Sequence, residues 1–315
     1  MGKVTTDTRL ELLISAGSAA QADKYLEAGA TAILIGESRF GMRLPGEIRE
    51  DELKEVIALI HERGGKAYVN AGKLFRNEEL SALPAYLRSA AAAGADAITF
   101  GDPAVLLNAR EFAPSLKLHW NAEMTGTNSA AAGYWGRRGA IRAVLARELN
   151  EEEIADFKRN VELEVQIQVH GMTNIYHSHR NLLESYLQHI GREATLVERG
   201  ADKGLFLVEM ERPDERFPVY EDANGTHVMS PDDICLLEAL PELYAAGVDS
   251  LYVEALLKTE EYNETVLRAY REAIDRLVAN PDSYKFDERG LNRIRALQHP
   301  ERELGFGFLY KEQVY

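Results

Sequence analysis

The sequence predicts an α/β fold, a (β/α)8 barrel of the TIM type, with a small antiparallel β insertion between strands 7 and 8. One observation is a recurring unit in which an amphipathic helix ends in a small residue and glycine, followed by a short apolar strand; it lies at 24–37, 62–72, 91–102, 137–148 and 244–255. The second is the spacing of the first seven strands, on the order of 20–35 residues, which is typical of strand–helix units in such barrels. The strands are predicted at about 11–17, 32–37, 66–71, 97–102, 117–122, 142–147, 163–170 and 250–255.

The residues at the element boundaries support this order. Glycine at a helix end enters the left-handed region without a Cβ clash, and the β-branched and aromatic runs that follow are short and apolar enough to be buried parallel strands. Ser18 and Asn150 are predicted N-caps, and Ser230 before Pro231 predicts a third helix start. An open doubly wound sheet is the alternative architecture, but no G-x-G-x-x-G follows the first strand.

The chain between strands 7 and 8 is longer than a single crossover. It contains a predicted helix near 179–191 and an alternating stretch at 204–230, in which Asn224-Gly225 is a hairpin-turn signal. We interpret this stretch as a small antiparallel insertion over one mouth of the barrel. The predicted organisation is therefore a barrel over residues 1–280 that includes the insertion, and a C-terminal tail over 281–315 that packs on it.

Composition excludes several classes of protein. The chain has 315 residues, with 36 Lys and Arg against 51 Asp and Glu, and its net charge of −15 repels phosphate backbones. No apolar stretch approaches the roughly 18 residues of a spanning helix, and the N-terminus lacks a signal-peptide pattern, so we expect a cytoplasmic protein with no membrane partner. The single cysteine, Cys235, excludes an internal disulfide and a self-contained iron–sulfur cluster, and its apolar helical surroundings predict a core position.

The candidate site lies where the predicted strands end. In a (β/α)8 barrel the functional face is at the C-terminal ends of the strands, and polar residues collect there in this sequence. Because buried polar groups cost free energy unless paired, this set predicts either a plug of paired charges or a ligand site, and we favour the ligand site. Arginines and lysines suit a small carboxylate ligand. The candidate substrate-binding residues are Arg39, Arg43, Asn70, Lys73, Asn121, Glu123, Arg147, Arg180 and Lys258.

Three strand-end residues are candidates for catalysis, namely His170, Glu37 and Glu254. The two carboxylates are a candidate acid and base, although the sequence does not place them near each other. His170 opens a stretch that also holds His177 and His179, but the H-x6-H-x-H spacing is not the i, i+4 pair of a zinc helix, so no metal site is predicted. No G-x-S-x-G elbow is present to supply a serine nucleophile.

Segments along nearly the whole chain resemble the collagenase-like peptidase U-32 family. They are ELLISAGS, GESRFGMR, FGDPAVL, ARELNEEEI, VQIQVHG, the block from FPVYEDANG to LLKTEEY, and the closing GFGFLY. The sequence is most similar to the short, cysteine-poor Bacillus-type members, which accompany a longer paralogue. Family members were labelled proteases, whereas better-understood relatives hydroxylate RNA pyrimidines, including prephenate-dependent 5-hydroxylation of the tRNA wobble uridine.

The resemblance also assigns family positions to residues of this chain. The family's R-E-L after strand 6, its H-G after strand 7, its strand-2 arginine and its Ser/Arg pair are matched by Arg147-Glu148-Leu149, His170-Gly171, Arg43, and Ser178 with Arg180. Many relatives carry Cys at the positions of Asn174 and Asn181 and two more downstream, whereas residues 187–204 here contain none. The resemblance therefore implies that this chain binds no cluster of its own. The family's S-x-Q and E-G-R-M-K patterns are altered at 121–123 and 254–258.

Three functions are open from the sequence. The resemblance implies first a subunit of a tRNA-modifying system, in which tRNA is held through a complex with a longer cluster-bearing paralogue and prephenate is a candidate co-substrate. The second is a catalytically silent scaffold of the same complex. The third is a collagenase-like protease, which only the family label supports. The acidic net charge and the missing cysteines both favour a hetero-oligomer.

Overall fold

The computed structural model describes residues 10–121 and 125–312. Their strands are β1 Glu11–Ser15, β2 Ala32–Ile35, β3 Lys66–Ala71, β4 Ala97–Phe100, β5 Lys117–Asn121, β6 Ala140–Val144, β7 Glu164–Ser178, β8 Phe206–Leu207, β9 Phe217–Asp222, β10 Gly225–Cys235, β11 Ser250–Val253 and β12 Leu304–Gly305. Strands β1 to β7 pair in order and in parallel, and β11 pairs in parallel with both β7 and β1. Eight parallel strands therefore close into a ring, which confirms the predicted (β/α)8 barrel and excludes the open sheet.

Helices connect the strands and pack on the ring. They are α1 Ala19–Glu27, α2 Leu53–Glu62, α3 Leu83–Ala93, α4 Pro103–Phe112, α5 Ser129–Gly136, α6 Glu151–Arg159, α7 Leu182–His189, α8 Leu240–Ala245, α9 Glu260–Ala279 and α10 Glu288–Leu297. Apolar residues of α1 to α6, α8 and α9 join the outward-facing strand residues in one core. The two predicted N-caps are confirmed, because Ser18 accepts from the Gln21 N–H at 3.2 Å and Asn150 forms a full capping box with Glu153.

Strands β6 and β7 differ from their predicted bounds. β6 begins and ends earlier than the predicted 142–147, and β7 continues beyond residue 170, out of the ring, to Ser178. Strand β10 pairs antiparallel with this extension of β7, β9 pairs with β10, and β8 pairs with β9. The predicted antiparallel insertion is thus present, but it starts within β7 itself. We call the outer part of β7 (171–178) together with β9 and β10 the lid ribbon.

The lid ribbon corrects one predicted element. Ser230 and Pro231 do not start a helix; they lie within β10, where the pairing register with β7 shifts between Met229 and Asp233. Here the Ser230 hydroxyl donates to the Asp232 carbonyl at 2.6 Å, which closes a local turn instead of capping a helix. Cys235 is buried as predicted, although it ends this strand and does not belong to a helix.

The tip of the lid ribbon reaches across the C-terminal mouth of the barrel. The turn between β9 and β10 contains Asn224, whose Nδ2 donates to the carbonyls of Ser38 at 3.1 Å and Gly41 at 3.4 Å in the loop after β2. Since β7 and β2 lie on different sides of the ring, the ribbon covers the mouth from one wall to another.

The C-terminal residues pack on the barrel and on the lid ribbon. Helix α10 lies against α9, and β12 pairs in parallel with β10 through Asp233 and Leu304. The predicted division of the chain near residue 280 stays a prediction. Within the described ranges, no helix has both the length and the apolar character needed to cross a bilayer.

The N-terminal end of the barrel interior is filled by an ion network. Arg142 on β6 is 2% exposed, and its guanidinium binds Glu11 at 2.5 Å and Glu164 at 2.7 Å. Glu11 also accepts from the Tyr68 hydroxyl at 2.6 Å and the Ser250 hydroxyl at 2.9 Å. Burial alone would raise the pKa of Glu11, but Arg142 and these donors lower it to about 2. This end of the barrel is a plug of satisfied charges.

Candidate ligand site at the barrel mouth

Three charged side chains meet at the opposite, C-terminal end of the ring. Glu254 follows β11, Arg147 lies three residues beyond β6, and Arg43 lies in the loop after β2. The positive charges of Arg147 and Arg43 both act on the Glu254 carboxylate, so the three groups lie close together. We call them the mouth cluster. They occupy the face at which (β/α)8 barrels bind their ligands.

The mouth cluster has an excess of positive charge. Burial raises the pKa of Glu254, since a carboxylate loses its hydration there. The Leu256 N–H, which donates to Glu254 Oε1 at 3.1 Å, and the two arginines offset part of this effect. Two guanidiniums thus face one carboxyl group whose ionised form is disfavoured, and an anion can compensate the remaining positive charge.

Arg147 has a hydrogen-bond partner at one guanidinium nitrogen and none within the described structure at another. Its Nε donates to Gln168 Oε1, and the Gln168 amide is oriented in turn by donating to the Met172 carbonyl at 2.9 Å. Arg147 Nη1 is buried and has no hydrogen-bond partner among the residues described. An unmade hydrogen bond at a buried group costs about 1–3 kcal/mol, and more at a charged one. An acceptor on a ligand would satisfy this donor.

Arg43 reaches the mouth from an unusual backbone conformation. Its φ is 53°, in the left-handed region that a residue with a Cβ adopts at a cost of about 1–2 kcal/mol. Burial and the neighbouring charge of Arg147 lower the pKa of its guanidinium. A strained residue that carries a buried charge is typical of functional sites, where the surrounding structure holds such a conformation in place.

Two tyrosines enclose the mouth cluster. Tyr252 on β11 donates to Ser15 Oγ at 3.3 Å and also hydrogen-bonds with Glu254. Tyr220 on β9 is buried close to Arg43, and its hydroxyl has no partner within the described part of the chain. Tyr220 packs with apolar side chains of the lid ribbon, including Met172. We call the group of five side chains formed by the mouth cluster, Tyr220 and Tyr252 the mouth chamber.

Histidine rings stiffen the lid ribbon above this chamber. His227 stacks on Tyr220 and on His177, with ring centroids 4.7 Å apart in each case. His227 Nε2 lies 3.0 Å from Asp222 Oδ1, and His177 Nε2 lies 2.9 Å from the Asn224 carbonyl. Across residues 10–121 and 125–312, no group of three or more His, Cys, Asp or Glu residues is arranged to hold a metal ion.

Glu37 and Arg39 lie apart from the mouth chamber. Burial raises the pKa of Glu37, with further contributions from Glu47 and Glu50, whereas the charges that act on Glu254 are those of the two arginines. Neither of these two carboxyl groups is among the main influences on the pKa of the other, and their pairing as acid and base stays a prediction. Arg39 is exposed and lies over the Phe40 ring at 5.2 Å.

Other predicted binding residues already have partners within the protein. Asn70 Oδ1 accepts from the Gly72 N–H at 2.8 Å, and Lys73 Nζ pairs with Glu79 at 2.5 Å. Asn121 ends β5 at the rim of the barrel. Glu123 lies outside the described residues.

The two remaining predicted cations also lie outside the mouth cluster. Arg180 is exposed at the far end of β7, where its carbonyl accepts from Thr226 Oγ1 at 2.7 Å. Lys258 forms an ion pair with Asp233, which also binds Arg302 at 2.7 Å. Of the predicted binding residues within 10–121 and 125–312, Arg43 and Arg147 are the two that the structure brings to Glu254.

His170 lies on the outer side of the barrel wall. Its side chain is 0% exposed, and Nε2 lies 2.9 Å from the Tyr262 hydroxyl on α9. Burial lowers the pKa of His170 to about 3, so the ring is neutral at pH 7. Its ring also packs edge-on against Tyr270. This environment supports a packing role, and the geometry gives no support to the predicted catalytic one.

Several site residues were missed from the sequence. Tyr252 lies two positions before Glu254, so strand alternation could have placed it inside the barrel. Alternation from His170 would have put Gln168 on the outer side, and it fails there because the pairing of β7 with β11 shifts register between these two residues. Tyr220 and Asn174 come from the lid ribbon, and both amide atoms of Asn174 are buried without a partner among the described residues. No local pattern signals them, because a long-range crossing of the mouth brings them there.

The fold and these groups define a (β/α)8-barrel protein with a covered, net positive group of side chains at the C-terminal mouth. A family model described as peptidase family U32 matches residues 17–314. The chain is 45% identical to tRNA hydroxylation protein P2 of Bacillus subtilis (strain 168) over 306 residues, which cover 97% of this chain and 99% of that protein. The chain therefore belongs to peptidase family U32.

Two further similarities agree with this assignment. The chain is 27% identical to tRNA hydroxylation protein P1 of the same organism, over 93% of this chain and 69% of that protein. A solved structure described as a U32 peptidase superposes with a TM-score of 0.50 at 16% identity, covering 78% of this chain and 92% of the other. The second similarity concerns the barrel fold alone.

The donor groups of this chain do not fit an iron–sulfur cluster. Such clusters are held by several thiolates, and the chain has one cysteine, Cys235. That thiol is 7% exposed, and burial raises its pKa, which disfavours the thiolate. We therefore derive no chemistry from a cluster bound to this chain.

Proposed function

We propose that this protein is a cytoplasmic subunit of a tRNA-modifying system that 5-hydroxylates the wobble uridine, working with a longer cluster-bearing paralogue. Two proteins named for tRNA hydroxylation in one organism are similar to this chain, which supports a pair of paralogous subunits. The net charge of −15 disfavours extensive contact with a phosphate backbone, so most of the tRNA is held by the partner.

In this proposal the mouth chamber binds a small carboxylate, with prephenate as the candidate co-substrate. The observation that carries it is the convergence of Arg43 and Arg147 on Glu254 under the lid ribbon, with Arg147 Nη1 left unpartnered in the described structure. Arginine forks match the geometry of carboxylates, and Tyr220 adds a second free hydroxyl at the same place. The roles assigned to this chain are binding and orientation.

The test is genetic and chemical. Deleting the gene is expected to lower 5-oxyuridine in tRNA, measured by mass spectrometry of nucleosides, and the wild-type gene should restore it. Arg147→Ala should fail to restore it, because the ligand loses one of two guanidiniums. Arg159→Ala, which removes an exposed arginine on α6, is the matched control and should restore it fully.

The outcomes separate this proposal from its alternatives. Unchanged 5-oxyuridine after deletion contradicts a role in this modification. Full restoration by Arg147→Ala favours a catalytically silent scaffold, in which the chain is needed but its mouth is not. The peptidase alternative is supported by the family's label, while Cys235 and His170 are buried and held in unreactive forms.

A further inference from the structure

A cavity opens beside the mouth chamber, between the lid ribbon and the C-terminal segment. Its volume is about 710 Å³. We call it the side cavity. Residues that line it include Arg147, Thr173, Asn174, Phe217, Phe306 and Phe308. Since Arg147 belongs both to this lining and to the mouth cluster, the two spaces are neighbours.

The wall of the side cavity carries polar atoms that the described protein leaves unsatisfied. The Asn174 side chain is 2% exposed, and neither Oδ1 nor Nδ2 has a hydrogen-bond partner there. Thr173 Oγ1 and Arg147 Nη1 are also buried and have no hydrogen-bond partner among the described residues. Because buried polar groups are nearly always paired, these atoms indicate a ligand that both donates and accepts.

Aromatic rings line the same cavity. Phe306 and Phe308, on the chain just after β12, are 37% and 44% exposed, and Phe217 lies deeper. Lys311 Nζ lies 4.6 Å from the centre of the Phe308 ring. Exposed rings beside a free amide suit a flat, polar-edged ligand, since any nucleobase can stack on an aromatic side chain.

We propose that the side cavity binds a single uracil-type base turned out of an RNA strand, with Asn174 reading its imide edge. That edge presents a carbonyl, an N–H and a second carbonyl. Asn174 Oδ1 can accept from the N–H, and Nδ2 can donate to one carbonyl. Arg147 Nη1 carries two hydrogens, so it can donate one to the other carbonyl and one to the carboxylate of the proposed function. This inference rests on the proposed function and gives its uridine a location next to the mouth chamber.

Other ligands match these atoms less well. A carboxylate offers no donor to Asn174 Oδ1, and adenine offers no acceptor to Arg147 beside the two edge atoms that Asn174 would bind. Cytosine matches the three groups only with the Asn174 amide turned over, so that Nδ2 meets its ring nitrogen and Oδ1 its amino group. The cavity also lacks the net positive charge that a phosphate requires, because its cations are balanced by acidic residues in the same lining. The cations are Arg147, Arg212 and Lys311, and the acidic residues are Glu148, Glu215, Asp232 and Asp233. A neutral pyrimidine base fits best, and the proposed function makes that base uracil.

The test measures binding of RNA hairpins to the full-length chain co-purified with its paralogue. One fluorescent hairpin carries a single uridine in its loop, and its partners carry cytidine or an abasic residue at that position. The wild type should prefer the uridine hairpin by about tenfold or more. Asn174→Asp should abolish the preference, because a second carboxylate oxygen replaces the N–H donor. Asn292→Asp, the same change at an exposed site on α10, should keep it.

A second measurement locates the base. A hairpin with 5-bromouridine at the same position should crosslink on irradiation to the peptide that contains Phe306 and Phe308. Equal affinity for all three hairpins, a uridine preference that survives Asn174→Asp, or crosslinks confined to the paralogue would each overturn the inference. If the preference is absent while gene deletion still lowers 5-oxyuridine, the side-cavity inference fails and the proposed function stands. If the uridine preference is present while gene deletion leaves 5-oxyuridine unchanged, the proposed function alone is contradicted.

Discussion

The two ends of the barrel interior treat buried charge in opposite ways. At the N-terminal end, Glu11 receives hydrogen bonds from Arg142, Tyr68 and Ser250, and its pKa falls to about 2. At the C-terminal mouth, burial raises the pKa of Glu254, and Arg147 keeps a donor without a partner in the described structure. The same residue types thus have their hydrogen bonds satisfied within the protein at one end, whereas at the other end a buried donor has no partner among the described residues. Charges that the protein satisfies itself stabilise the fold, whereas those it leaves open are the ones to which the proposed function assigns a ligand.

The largest effect is expected at the plug. Arg142→Met should lower the free energy of unfolding by about 3–5 kcal/mol, because Glu11 is left as an unpaired buried carboxylate. Urea denaturation at pH 7 measures it. The double variant Glu11→Gln with Arg142→Met should recover part of the loss. A double variant less stable than the single one would contradict the view that the pair acts as a unit.

A matched pair of substitutions compares the two ends directly. Glu11→Gln should cost about 3 kcal/mol at pH 7, since a depressed pKa gives stability that is present above about 4.5 and is lost as the pH falls toward 2. Glu254→Gln should cost nothing or stabilise slightly, because a raised carboxyl pKa gives stability that is lost as the pH rises through it. Equal losses in both variants would remove the contrast between plug and mouth.

A smaller effect tests whether His170 belongs to the wall or to the site. Its pKa of about 3 lies below the ordinary value of 6.5, so stability falls as the pH drops below 6.5 and the unfolded chain takes up the proton. Between pH 6.5 and 5 the loss should be about 2 kcal/mol, and His170→Gln should remove most of this pH dependence. His189→Gln, at an exposed histidine, is the control. If His170→Gln loses as much stability between pH 6.5 and 5 as the wild type does, the buried ring is not the cause of the pH dependence.

The barrel could be predicted from the sequence because the patterns that indicate it lie within short segments of the chain. Glycine at helix ends and short apolar strands repeat at regular spacing, and Arg43, Arg147 and Glu254 could be found because each follows a strand. The plug was missed, since β6 begins two residues earlier than predicted and Arg142 therefore points into the barrel from its lower end. The lid residues Tyr220 and Asn174 could not be predicted, because their position depends on a ribbon that crosses the mouth.

Strand β7 is both one of the eight strands of the barrel wall and one strand of the lid ribbon. Its 15 residues run without a break from Glu164 to Ser178. At Gly171, where φ is 97°, a Cβ would lie 2.6 Å from the Glu254 carbonyl, and the Glu254 N–H donates to the His170 carbonyl at 3.0 Å. Any displacement of the ribbon therefore pulls on the backbone that carries the acid. One continuous strand thus holds the lid ribbon and the backbone of the mouth carboxylate in a fixed relation.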